Sequence, residues 1–112
     1  MKKINFRNWF RKPSTKADEY DKIKYVSSIS DIPKQLDKTI FIVRSGGKSK
    51  WVVFKCPDNC GNRVEVNLME SKYPFWRLEI KRKKVTLDPS VIVESCHSHF
   101  CLINNKVVWA ID

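Results

Sequence analysis

The sequence predicts a mainly β protein, a small antiparallel sheet domain with a zinc knuckle and one or two short N-terminal helices. Three observations predict it. Short runs alternate apolar and polar residues at period two: Val64, Val66 and Leu68 against Glu65 and Asn67, then Trp76, Leu78 and Ile80 against Arg77, Glu79 and Lys81. Hairpin turn signals separate such runs, as at Ser45-Gly46-Gly47-Lys48 and Asn104-Asn105. The four cysteines fall in two groups, Cys56 with Cys60 and Cys96 with Cys101.

The chain of 112 residues suffices for one small domain and not for two independent cores. At that size the core is thin, so a metal cross-link would add useful stability. Two segments are expected: a basic, aromatic arm over residues 1–24 and a zinc-stapled β domain over residues 25–112. In the arm, Phe6, Trp9 and Phe10 stand at helical spacing among Lys2, Lys3, Arg7, Arg11 and Lys12. An arm that lays these rings on the sheet is preferred, since exposing three large aromatics to water is unfavourable.

The domain then reads in order. Residues 23–29 are strand-like, and Asp31-Ile32-Pro33 starts a turn or single helical turn reaching Leu36. Ile40, Phe41, Ile42 and Val43 make a strand, and residues 51–55 return antiparallel to it, delivering Cys56 at their end. After the knuckle come the two alternating strands, with residues 69–74 as a loop between them. Lys81-Arg82-Lys83-Lys84 is a solvated turn, and residues 85–87 form the return strand, which Asp88-Pro89-Ser90 breaks. Residues 99–103 and 106–110 close the chain as a hairpin.

The formal net charge is +10, which favours an anionic partner, whether nucleic acid, membrane surface or acidic protein. The apolar content is that of a globular chain and excludes disorder. No apolar run is long enough for a membrane span. A basic start without the apolar core of a secretory signal points to a cytoplasmic protein, where thiols are metal ligands sooner than disulfides.

Zinc takes four thiolate or imidazole ligands in a tetrahedron. Cys56 and Cys60 bring two sulfurs together across one tight turn, in which Pro57 stiffens the backbone and Gly61 lets it fold under the metal. Cys96 and His99, spaced C-x-x-H, supply the second pair. Cys101 and His97 are rival ligands, read first as a small buried residue and an exposed loop histidine. Filled by four protein ligands, the site is closed, and the metal is structural.

These residues also carry a resemblance. A strand running into Cys56-Pro57 and Cys60-Gly61, an alternating strand ending at Asn67-Leu68, then Trp76, Thr86-Leu87-Asp88-Pro89-Ser90-Val91, Cys96-His97-Ser98-His99-Phe100 and Val107-Val108-Trp109 together resemble a family of small bacterial cysteine-rich proteins. That family is encoded beside genes for ubiquitin-like proteins and their activating and conjugating enzymes. The resemblance covers about residues 50–110. Many members have a third cysteine in the knuckle where this chain has Asp58.

The resemblance implies work on ubiquitin-like conjugates, as a binding module or a processing hydrolase. The partners it implies are the ubiquitin-like protein and its activating or conjugating enzymes. Its serine and histidine pieces map to Ser90, Ser98 and His99, with His97 as a further base. Ser98 and His99 point apart in a strand, so Ser90 is the better nucleophile, with His97 or His99 as base. One histidine cannot both ligate zinc and serve as a free base. Two readings of other classes stay open: a zinc-ribbon-like nucleic-acid binder, using the arm and residues 81–84 on phosphates, and a non-catalytic adaptor for an acidic protein.

Overall fold

The alternating runs become strands, and each of them is half of a hairpin or an edge. The computed structural model describes residues 19–58 and 60–110. Among them are eight strands: β1 Lys22–Val26, β2 Thr39–Ser45, β3 Lys48–Lys55, β4 Arg63–Asn67, β5 Arg77–Lys81, β6 Lys84–Val93, β7 Ser98–Ile103 and β8 Lys106–Trp109. They pair as two four-stranded sheets, β1-β2-β3-β4 and β5-β6-β7-β8.

The two sheets pack face to face. Ile40, Ile42, Val52, Phe54, Val64 and Val66 of the first meet Val85, Leu87, Val91, Phe100, Leu102 and Val107 of the second in one buried cluster. Phe54 links the layers by edge-on ring contacts, 5.4 Å from Tyr20 and 6.2 Å from Phe100 between centroids. β2 is a continuous apolar run because both its faces are covered. Phe41 and Val43 turn away from the sandwich, joining Val53 under Ile32 and Leu36 of the β1–β2 connection.

Mainly β structure is therefore observed, with two differences in detail. The strands divide into two sheets, and β1 runs parallel to β2. Of the two short helices expected, the one in the arm lies outside the described residues. The other, expected from Asp31 to Leu36, is not formed: a three-residue 3-10 turn, Ile29–Asp31, capped by the Ser28 side chain, precedes that span, and residues 32–36 are not helical. The turn stops at Ile32, which adopts ψ 127, because a residue before proline is driven out of helical backbone. Tyr20 is buried and its hydroxyl donates to the Lys55 carbonyl at 2.6 Å, so Tyr20 and β1 pack as part of the sandwich.

Asp88-Pro89-Ser90 does not end its strand. Leu87 pairs with Leu102 and Val91 with Phe100, so residues 88–90 bulge opposite Cys101 alone. Pro89 has no N–H to give the ladder, and a bulge accommodates that without ending the strand. The β7–β8 turn has positive φ at both Asn104 and Asn105, as a two-residue hairpin loop requires. Asn105 is buried there, exchanging bonds with the Val85 backbone: its side-chain oxygen accepts from Val85 N at 2.7 Å and its N–H donates to Val85 O at 2.8 Å.

Candidate functional site

The β6–β7 hairpin carries chemistry on both faces, because side chains alternate along a strand. From β7, Ser98, Phe100 and Leu102 are buried toward the sandwich, while His99 and Ile103 lie on the outer face. The knuckle meets the inner face and the Asp88–Ser90 bulge belongs to the outer one.

On the inner side, Cys56 follows directly on β3, and the Cys56 N–H donates to the Asn62 carbonyl at 2.8 Å, closing the turn that carries Cys60. Gly61 sits at φ +82, a left-handed conformation that glycine takes without strain. The Asn62 side chain reaches Ser95 at 2.5 Å, tying the knuckle to the β6–β7 turn that holds Cys96. The sulfurs of Cys56, Cys60 and Cys96 thus lie within 4.8 Å of one another. Cys56 Sγ and Cys96 Sγ are 3.6 Å apart, close to the ~3.8 Å separating two thiolates on one tetrahedral zinc at 2.3 Å. No disulfide joins Cys56, Cys60 and Cys96. The donor set and spacing fit a metal ion.

Oxygen atoms complete this cluster. Ser98 Oγ is 3.1 Å from Cys96 Sγ and 3.9 Å from Cys56 Sγ, and it donates to Asp58 Oδ2 at 3.0 Å. Burial pushes the Cys56 thiol up to about 12, reinforced by the neighbouring thiols and opposed by the Asp58 backbone N–H and the Ser98 hydroxyl. Cys96 is lowered, chiefly by the hydroxyl of Ser98. One thiol of the cluster is thus held protonated by burial while another is helped to ionise by its hydroxyl neighbour.

On the outer side, Ser90 Oγ and His99 Nε2 are 2.8 Å apart. The bulge sets this pair: it brings Ser90 diagonally beside His99, whose direct partner across the ladder is Ile92. Trp76 fixes the serine backbone by donating its indole N–H to the Ser90 carbonyl at 3.1 Å. Both side chains of the pair are half-buried, so the hydroxyl is accessible yet held.

The residues singled out from sequence are therefore distributed as follows. Cys56, Cys60 and Cys96 converge. His99, expected as the fourth ligand, lies outside the cluster and bonds Ser90, because strand alternation puts it on the opposite face from Ser98. Ser98, a candidate nucleophile, is buried beside the sulfurs with Asp58 as its acceptor. His97 is exposed in the turn at φ 58, and no hydrogen bond joins it to Ser90 among the described residues. Cys101 is buried away from the other thiols, and burial pushes it up. Sequence reasoning missed Trp76 and Asn62 as supports; Trp76 alternates with polar neighbours and reads only as a core residue.

Residues 28–110 match the family model described as bacterial ubiquitination-like system serine protease (BubE). The chain belongs to this family. BubE membership ties it to a bacterial ubiquitination-like system, in agreement with the ubiquitin-like conjugation context that its motifs resemble. The matched span contains both the cysteine cluster and the Ser90–His99 pair. Neither the curated proteins nor the solved structures give a match. No helix among the described residues is long and apolar enough to cross a membrane.

Proposed function

We propose that this BubE-family chain is a serine-type hydrolase that processes or deconjugates the ubiquitin-like protein of its system, with Ser90 as nucleophile and His99 as general base. The observation that carries this reading is the 2.8 Å contact between Ser90 Oγ and His99 Nε2. It is the hydrogen bond a hydroxyl needs to lose its proton as it attacks. Ser98 is the poorer nucleophile, since it is buried and donates to Asp58 beside the sulfurs.

In the reaction, Ser90 Oγ bonds to the carbonyl carbon at the end of the ubiquitin-like segment while its proton passes to His99 Nε2. The bond from that carbon to the leaving amine or alcohol breaks, and the leaving group takes the proton from His99. Water, deprotonated by the same ring, then frees the acyl group as a carboxylate and restores the serine. Trp76 holds the Ser90 backbone through this cycle.

A zinc ion on Cys56, Cys60 and Cys96 is the cofactor this reading includes. It would supply a cross-link between the knuckle and the β6–β7 turn, and so would hold the hairpin that carries Ser90 and His99. The partners are the ubiquitin-like protein and the enzymes that activate or conjugate it.

An active-site serine probe tests the assignment. The probe is expected to label the wild type and Ser98→Ala but not Ser90→Ala, and cleavage of a C-terminal fusion of the ubiquitin-like protein should follow the same pattern. Labelling that survives in Ser90→Ala, or that disappears only in Ser98→Ala, would overturn it.

A further inference from the structure

The far end of the outer face gathers cations. A groove of about 510 Å³ is lined by Lys81, Arg82, Lys84, Lys106, Ile103 and Val108, together with Asn104. It lies where the β5–β6 and β7–β8 turns come together. Strand pairing explains the gathering: Lys81 faces Lys84 across one hairpin and Ile103 faces Lys106 across the other. Cross-strand partners share a face, so four positive side chains stand around a floor of Ile103 and Val108.

Like charges placed directly opposite repel one another. Among the described residues none of the four has an ion-pair partner to relieve that repulsion. Glu79 is on β5 two residues from Lys81, and Glu19 bridges to Lys106 through the backbone, but neither lines the groove. The chain's own residues 1–18 are a poor complement, being themselves rich in lysine and arginine. A carboxylate-bearing segment with an apolar residue between its acids matches both the rim and the floor.

We propose that this groove docks an acidic segment of the protein substrate. The identification of the occupant as substrate rests on the hydrolase reading. His99 and Ile103 are on the same face of β7, four residues apart, which at ~3.3 Å per residue is about 13 Å. Cys101, between them, is 1% exposed, so the face between the two positions is covered and not open sheet. A folded partner spans that distance, placing its acidic patch in the groove while its terminal segment reaches Ser90.

The test uses a fluorescein-labelled peptide of alternating glutamates and leucine, and an oligothymidylate of the same length. Binding is measured at low salt to the wild type, to Lys84→Glu/Lys106→Glu, and to Lys24→Glu/Lys48→Glu. The last carries the same charge change at exposed positions of the other sheet. The groove variant should bind the peptide at least tenfold more weakly and the control less than threefold. Equal weakening in both variants would reduce the effect to net charge and overturn the proposal. So would failure of the wild type to bind the peptide, or an oligothymidylate that binds more tightly than the peptide and is the one lost in the groove variant. Labelling by a serine probe should persist in the groove variant. Its absence from the wild type would strike the hydrolase reading separately, leaving peptide binding to decide the groove.

Discussion

Replacing His99 by glutamine separates the two roles that a histidine at this position could play. Glutamine keeps the size and a hydrogen-bonding end, so Ser90 still has a neighbour, but it cannot accept a proton. Loss of a general base costs on the order of 10²–10⁴ in rate, which is about 3–5 kcal/mol of barrier at ~1.4 kcal/mol per decade. The stability cost is far smaller. The Ser90–His99 bond is half-exposed, and a single side-chain hydrogen bond contributes about 0.5–1.5 kcal/mol. The three sulfurs lie on the other side of β7, so the metal content should be that of the wild type. The assay therefore reads three quantities on one preparation: kcat/KM on a fusion of the ubiquitin-like protein, the chemical denaturation midpoint, and zinc per chain. A hundredfold or greater loss of kcat/KM with metal retained is expected. Zinc lost together with stability would mean that His99 is a ligand after all. A rate loss below about tenfold would mean that it is not the base.

Cys96→Ser should do the reverse at the metal: zinc falls from about one ion per chain, and the thermal midpoint drops with it, since binding free energy at a structural site is folding free energy; unchanged metal content by elemental analysis would refute the cluster. Tyr20 is expected to make stability fall in alkali. Burial holds its phenol above the ordinary value of 10.0, so the folded state keeps a proton that the unfolded chain releases, and the contribution present below that pH is lost above it. Urea midpoints at neutral pH and at about pH 10.5 should show a steeper fall in the wild type than in Tyr20→Phe, which should itself cost about 1 kcal/mol at neutral pH; parallel slopes would refute this. Asn105→Ala orphans the Val85 N–H and puts a Cβ-bearing residue without a side-chain acceptor at φ 66. A loss of about 3 kcal/mol by chemical denaturation is expected, and one under about 1 kcal/mol would show that the turn tolerates the change.

The strands were legible because their signal is local. Val64 to Leu68 and Trp76 to Ile80 state their face by alternation, and Asn104-Asn105 states its turn by the conformations asparagine tolerates. The division into two sheets was not legible, because pairing joins residues far apart and alternation says only that one face is buried, not against what. The parallel β1–β2 pair was hidden for the same reason. At Asp88-Pro89-Ser90 a correct local fact, that proline cannot donate to a ladder, led to a broken strand where the chain instead forms a bulge. The cysteine cluster was largely legible from spacing. The place of His99 was not, because C-x-x-H spacing suggests that Cys96 and His99 share a turn, whereas Cys96 lies in the turn and His99 already lies in β7.

That single residue of offset also determines how the two centres are related. Ser98 and His99 are neighbours in the chain, yet one faces the sulfurs and the other faces Ser90. On the proposed reading, a metal on the inner face would fix the hairpin without occupying the imidazole, leaving His99 free to act as the base. The bulge does the complementary task on β6, bringing Ser90 into reach of His99 while Val91 continues the buried row with Phe100. Shifting β7 by one residue would exchange the faces, turning His99 toward Cys56 and Ser98 outward. The separation of the sulfur cluster from the Ser90–His99 pair is therefore a matter of strand register, and register here is pinned by the burial of Phe100 and Leu102.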